Sequence, residues 1–385
     1  MKIVCDNKIP FLRGALEPYA EVVYLPGAHT TPEVVKDADA LITRTRTICN
    51  EALLKGSSVR AIATATIGYD HIDTAWCEAN GIAWSNAPGC NSWSVKQYIS
   101  SVLAVLAQRH GLRLDALTLG VVGVGNVGSK VADVGRAFGM RVLLNDPPRE
   151  RADYCDPERS EGSVHWSSLD TILAESDIIT VHVPLTRSGA DATWHLFDAG
   201  RLAQMRPSQI LINSSRGPVV DNQALKETLK RGGLKAAVLD VWEGEPDLDP
   251  ELVGLLDIAT PHIAGYSADG KANGTTMSVR YLARQLGLPL EGWTASGVPA
   301  PEQPLDFTVD ASGKSAQEVL AEAVLYTYDV RRDSDALRAD LGAFERLRGD
   351  YMIRREPSAF TLTLLNGDAG LAGRLEKLGF KVIIT

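Results

Sequence analysis

The sequence predicts an α/β protein with two doubly wound parallel sheets and a small α+β domain at its C-terminal end. Three observations carry this expectation. Short apolar runs alternate with helical stretches from the first residues to about residue 260, the rhythm of parallel strands covered by crossover helices. A Gly-x-Gly-x-x-Gly follows one of those runs, at Gly123–Gly128. A stretch holding Pro289, Gly292, Gly297, Pro299, Pro301 and Pro304 then reads as a linker over 288–305 and sets residues 306–385 apart.

The elements follow in order. In the first hundred residues, Lys2–Cys5, Glu21–Leu25, Ala40–Thr43 and Ala61–Ala65 read as strands, with helices near Pro32–Ala38 and Asn50–Leu54. From Ser94 to about His110, apolar Val95, Tyr98, Ile99, Val102, Leu103 and Leu106 form one stripe at helical spacing, the mark of a helix packed on a neighbour. A second α/β series starts at Leu117, with strands expected at Leu119–Val122, Arg141–Leu144, Ile178–Val183, Ile210–Asn213, Ala236–Asp240 and Asp257–Thr260. Past the linker, Ala316–Tyr328 reads as a helix, and Phe360–Leu365 and Lys381–Ile384 as two strands around a helix near Ala369–Leu378.

Composition narrows the function. With 385 residues, 45% hydrophobic and 23% charged, the chain is neither disordered nor fibrous. A net charge of −9 lacks the broad basic footprint of a nucleic-acid binder. Residues Ala311–Thr385 balance acid and base, so the whole excess sits on the preceding part. Cys5, Cys49, Cys77, Cys90 and Cys155 are odd in number and widely spaced, a poor disulfide framework and a poor zinc site. No apolar run has the length of a membrane span or signal peptide, and no metal site is expected. These features predict a soluble cytoplasmic protein, with no nucleic-acid or membrane partner.

The glycine run gains weight from its context: a strand leads in and a helix leads out. Gly123, Gly125 and Gly128 permit a tight turn and close approach of backbone, including Asn126 and Val127, to a pyrophosphate at the helix N-terminus. Asp146 ends the next strand. A carboxylate there accepts hydrogen bonds from a ribose 2′-hydroxyl and repels a 2′-phosphate, which favours NAD over NADP. Arg216 follows the strand Ile210–Asn213, where its planar fork suits a carboxylate. His262 follows the strand at Asp257–Thr260 and is placed to exchange a proton with a hydroxyl. A carboxylate beside it would orient it, and here the residues leave Glu243 and Glu245 both open.

Together these residues suggest hydride transfer on a hydroxy acid. At this point the chain resembles the D-isomer-specific 2-hydroxyacid dehydrogenase family. The resemblance rests on Gly123–Gly128, His182-Val183-Pro184-Leu185, Asn213–Gly217 with Val219-Val220-Asp221, Asp240–Pro246, Thr260-Pro261-His262, and Ala65–Asp73. It implies a flavodoxin-like substrate domain (1–93 and 267–287), a Rossmann NAD domain (94–266) and a C-terminal dimerisation domain (306–385). It also implies Arg216, Glu245 and His262 as the catalytic set, since the family's catalytic Glu stands just before Pro. Asp240 would anchor the nicotinamide carboxamide, with Val183, Ser214 and Gly265 also at the cofactor.

Narrower features, Asn86–Asn91, Asn145–Arg149, His262–Tyr266 with Gly270-Lys271, and Leu347-Arg348, Tyr351 and Arg354–Glu356, resemble a branch of the family that oxidises 4-phospho-D-erythronate. That likeness implies a small phosphorylated 2-hydroxy acid as substrate and a homodimer. Arg44, Thr45, Arg46 and Thr66 are then candidates for the phosphate and hydroxyl end, and Tyr266 for a further hydrogen bond. Arg348 is expected to reach a partner subunit's site. Thr45 stands where the branch has Ser, and Val183 where the family often has Thr. Another family member, such as a 3-phosphoglycerate dehydrogenase, and an NAD-sensing binding protein are the competing expectations.

Overall fold

The structure is a computed structural model that describes residues 1–155 and 165–385, with backbone only at Tyr154 and Cys155. It divides into two compact units, 1–92 with 266–300, and 93–265 with 301–385.

The first unit is built on a five-stranded, all-parallel sheet. Its strands are β1 (Lys2–Asp6), β2 (Glu21–Leu25), β3 (Ala40–Thr43), β4 (Ala61–Thr64) and β5 (Ala83–Ser85), in the order β2-β1-β3-β4-β5. Successive side chains of a strand point to opposite faces. Ile3, Cys5, Ala40, Ile42, Ala61 and Ala63 therefore enter one core with Val279 and Leu282, while Val4, Leu41 and Ile62 enter another with Val35 and Leu54. Both faces are covered, so the strands read as continuous apolar runs rather than alternating ones. The helix Ala268–Leu286 lies close enough to β4 that a Cβ at Gly274 would sit 2.8 Å from the Ala65 carbonyl oxygen.

The segment read as linker is partly packed. Leu290 is buried beside Leu288 and Trp293, and Arg280 Nε donates to the Trp293 carbonyl at 2.7 Å. Apolar side chains spaced among the prolines were the signal for this.

The second unit carries a six-stranded parallel sheet of β6 (Thr118–Val122), β7 (Arg141–Asn145), β8 (Ile178–Val181), β9 (Ile210–Asn213), β10 (Ala236–Leu239) and β11 (Ile258–Ala259). The order is β11-β10-β9-β8-β6-β7, which reverses between β6 and β8. Ligands bind such sheets at that switch point, beyond the carboxyl ends of the strands. In the first sheet the corresponding reversal falls between β1 and β3, and Arg44 follows β3.

The C-terminal residues form a third, parallel sheet, β12 (Asp306–Asp310), β13 (Thr361–Leu365) and β14 (Lys381–Ile384), in that order. Sequence reading finds only the last two strands. β12 alternates polar Asp306, Thr308 and Asp310 with Phe307 and Val309, covers one face only, and follows prolines, so its apolar signal is thin. The domain is joined to the second sheet. Ser334 Oγ accepts from the Ala259 amide at 3.2 Å, Arg338 donates to the carbonyls of Val253 and Leu256, and Leu337 and Phe344 sit in that sheet's core.

Candidate active site

The glycine loop is shaped by contacts that only glycine permits. Gly123 has φ +86, and a Cβ there would lie 2.6 Å from the His182 carbonyl oxygen and against Val183. A Cβ at Gly128 would lie 1.8 Å from the Gly123 oxygen, so the helix Gly128–Ala137 starts directly under the turn. Gly125, by contrast, has nothing within 4 Å, which leaves backbone open to a ligand. Val127 is the N-cap, and no side chain caps the helix, so its first amide groups are not taken by a cap.

Asp146 Oδ2 accepts from the Val124 amide at 2.8 Å and Oδ1 from the Arg149 amide at 3.1 Å. Each oxygen keeps a lone-pair site for a ribose hydroxyl. The Ser214 hydroxyl, just past β9, is buried and has no partner among the described residues. Buried polar groups of this kind call for an acceptor or donor from outside the chain. Glycine cradle, acid and orphan hydroxyl all fit a bound dinucleotide.

Three loops beyond β9, β10 and β11 hold the candidate catalytic residues. Asn213 braces the first: its Oδ1 accepts from the amide and hydroxyl of Ser215, and its Nδ2 donates to the Arg216 carbonyl. Arg216 is half-buried, with Nη1 2.8 Å from the Ser215 oxygen. In the second loop, Glu245 Oε1 accepts from the Trp242 amide at 2.9 Å, and Oε2 lies 2.8 Å from His262 Nδ1. A carboxylate only accepts, so Nδ1 carries the proton and Nε2 is left as the basic nitrogen. His262 itself has φ +56. The two amides after it, Ile263 and Ala264, donate to Asp240 Oδ1 and Oδ2. Asp240 Oδ1 also accepts from Thr260, whose hydroxyl bonds Tyr98 at 2.8 Å. Asp240 thus shapes the His262 loop, and burial pushes its carboxyl above the ordinary range.

Of the two glutamates, it is Glu245 that meets His262. Glu243 Oε1 lies 2.8 Å from His195 Nε2 and its Oε2 accepts from the Asn222 amide, away from His262. His195 Nδ1 is 3.7 Å from Asp221, and Trp194 stacks on the ring at 3.7 Å. His195, Asp221 and Glu243 hold ligand atoms within 4.8 Å of one another. Their polar atoms are engaged with each other and with backbone, so the group works as a brace for the Glu245 loop. Sequence reading overlooks it, because His195 lies far from Glu243 along the chain.

Burial opposes ionisation of Glu245, but the hydrogen bond and charge of His262, with the Trp242 amide, outweigh it and hold the carboxyl below its ordinary value near 4.5. Such a group adds stability that is complete above pH 4.5 and is lost as pH falls through the lower folded value. Thermal melts of wild type and Glu245→Gln should therefore differ most above the ordinary value of 4.5 and converge progressively as the pH falls below it, scanned in steps of about half a pH unit.

The remaining candidates lie in the first unit. Arg44 donates to the Lys8 carbonyl at 3.2 Å, while Thr45 and Arg46 are exposed beside it. Thr66 joins a hydroxyl chain with Thr64 (2.8 Å) and donates to Gly68, and Thr64 meets the His71 ring at 3.1 Å. Lys271 Nζ sits 4.9 Å from the Tyr266 ring, a cation that sequence reading quotes but does not name as a site residue. Within the chain, the positive charge of Arg348 helps keep Glu245 ionised, and its Nη1 is 3.3 Å from Glu345.

Residues 94–264 match the family model described as D-isomer specific 2-hydroxyacid dehydrogenase, NAD binding domain, and 301–379 match a domain of unknown function. The chain is 51% identical over 365 residues to the erythronate-4-phosphate dehydrogenase of Bacteroides fragilis, covering 94% of this chain and 99% of that one. It is 42% identical over 387 residues to the enzyme of the same name from Klebsiella pneumoniae, covering 100% and 99%. Among solved structures, D-lactate dehydrogenase from Aquifex aeolicus in complex with NAD and lactic acid is 28% identical, with a TM-score of 0.62 over 78% of this chain and all of that one. The chain belongs to the erythronate-4-phosphate dehydrogenase family, a branch of the D-isomer specific 2-hydroxyacid dehydrogenases.

Proposed function

We infer that the protein oxidises 4-phospho-D-erythronate with NAD to (R)-3-hydroxy-2-oxo-4-phosphooxybutanoate, in the biosynthesis of pyridoxal 5′-phosphate. The Glu245–His262 pair at 2.8 Å is the observation that carries the chemistry. His262 Nε2 takes the proton of the C2 hydroxyl, and Glu245 stabilises the imidazolium that results. Arg216 binds the substrate carboxylate and polarises the C2 oxygen as its carbonyl forms. NAD, when bound, supplies the hydride acceptor.

Gly123, Gly125, Asn126, Val127 and Gly128 hold its pyrophosphate, and Asp146 its adenosine ribose. Val183, Ser214, Asp240 and Gly265 line the nicotinamide end. The orphan hydroxyl of Ser214 supports this assignment. Arg44, Thr45, Arg46 and Thr66 bind the phosphate and hydroxyl end, and Tyr266 supplies a further hydrogen bond. An acidic chain gains little from long-range steering of an anionic substrate, so capture rests on these local cations.

A homodimer formed through the C-terminal domain, in the cytoplasm, completes the reading. No helix among the described residues is long and apolar enough to cross a membrane. The phosphoglycerate alternative is not favoured by relatives of 42–51% identity that share one name. Reduction of NAD measured side by side on 4-phosphoerythronate, 3-phosphoglycerate and D-lactate tests the assignment. A kcat/KM for 4-phosphoerythronate about 100-fold or more above that for D-lactate, which lacks the phosphate, and about 10-fold or more above that for 3-phosphoglycerate, which lacks one hydroxyl-bearing carbon, is expected, and equal or greater turnover of another acid overturns it.

A further inference from the structure

Arg354 is the largest fully buried side chain among the described residues, at 1% exposure. A buried guanidinium is costly unless its charge and its donors are met. Part of the compensation is local. The Tyr328 ring lies 4.4 Å away, Nη1 is 3.4 Å from the Tyr351 hydroxyl, and Asp333 accepts from Tyr328 at 2.6 Å and Tyr351 at 2.7 Å. The shortest hydrogen bond of Arg354 leaves the C-terminal domain altogether: Nη2 donates to the Ala264 carbonyl at 2.6 Å.

Ala264 is two residues past His262. Its amide is bound by Asp240 and its carbonyl by Arg354, so the peptide groups on both sides of Ala264 are held. His262 needs such a grip, because its φ of +56 is a conformation that a non-glycine residue keeps only when its surroundings enforce it. The segment bearing Arg354 is itself fastened to the helix Ser92–His110. Glu356 accepts from the Ser94 hydroxyl at 2.9 Å, and Gln97 donates to the Arg355 carbonyl at 2.9 Å.

We propose that Arg354 is a positioning residue for His262, and that the C-terminal domain thereby completes the catalytic centre from outside the dehydrogenase core. The proposal rests on His262 being the acid–base group. It gives residues 301–379 a function within the chain's own chemistry, independent of any assembly of subunits.

The test uses the full-length chain. Arg354→Ala should lower kcat about 10- to 100-fold, the scale of losses from small misplacement of a reacting group, while the dissociation constant for NAD stays within about threefold. Millimolar guanidinium chloride, far below denaturing levels, should refill the cavity and recover kcat at least fivefold, whereas Arg354→Lys, with a point charge in place of the fork, should stay impaired. Should Arg354→Ala fail to fold, Tyr351→Phe loosens the same cluster at constant volume and should lower kcat about threefold or more.

The proton on His262 Nδ1, followed by NMR of histidine-labelled protein without substrate, gives a reading independent of turnover. It should shift or broaden in the Arg354 variant. A folded Arg354→Ala with kcat within twofold of wild type, or a loss that guanidinium does not relieve and an unmoved His262 signal, overturns the proposal. If wild type turns over none of the phosphorylated acids yet the His262 signal moves, the substrate assignment fails and the positioning role stands.

Discussion

His262→Ala lowers kcat on 4-phosphoerythronate by about two to four orders of magnitude, the ordinary worth of a positioned acid–base group. NAD affinity, followed by quenching of tryptophan fluorescence, should stay within about threefold, because the glycine loop and Asp146 are untouched. The loss should be in kcat rather than KM, since the proton moves only as the transition state forms. Glu245→Gln separates orientation from proton transfer. Both carboxylate oxygens accept, one from Trp242 and one from His262. A carboxamide has a single accepting oxygen, so with that oxygen on the Trp242 amide its NH2 meets His262 Nδ1 and favours the tautomer that carries the proton on Nε2, where the base is needed. That variant should keep its fold, lose about 10- to 100-fold in kcat, and retain more activity than His262→Ala. Turnover of His262→Ala within tenfold of wild type would remove His262 from the mechanism.

Legibility in the sequence follows burial. Strands covered on both faces, such as Ile3–Cys5 and Ile210–Asn213, announce themselves as apolar runs, and the glycine loop announces itself because Gly123 and Gly128 have no substitute in that turn. Arg216 and His262 are readable as polar residues at the ends of such runs. What sequence reading leaves open is set by contacts distant along the chain. Glu243 and Glu245 are two residues apart with equal chemistry, and only the partners they meet, His195 and His262, tell them apart. β12 is half exposed, so its signal is an alternation too short to stand out beside four prolines. Arg354 reads as one member of a charged surface cluster, yet it is buried against a loop some 90 residues earlier. Charge patterning alone cannot distinguish a solvated arginine from one whose charge is met by tyrosines and a buried aspartate.

The same contrast gives the second large effect, at Gly217. A Cβ there would lie 1.9 Å from the Trp242 carbonyl oxygen, 2.1 Å from its carbon and 2.8 Å from the Glu243 nitrogen, all backbone atoms. No side chain can swing aside to make room, and the Trp242 loop is tied down, since Trp242 Nε1 donates to the Thr260 carbonyl at 3.0 Å. Gly217→Ala must therefore push the Arg216 loop and the Glu245 loop apart. A displacement near 1 Å at a reacting group costs on the order of 100-fold, and here both the carboxylate-binding Arg and the orienting Glu move together. We expect kcat/KM to fall by about 100- to 1,000-fold and stability by roughly 1–3 kcal/mol, as for an overpacked core, read from denaturant unfolding. Gly125→Ala is the control. Nothing lies within 4 Å of that position, so its melting temperature should stay close to wild type while NAD binding weakens, because the added methyl occupies backbone that the pyrophosphate approaches. If Gly217→Ala kept wild-type kcat/KM, the strand-end loops would be compliant, and the close approach of Gly217 to the Trp242–Glu243 backbone would have no part in catalysis.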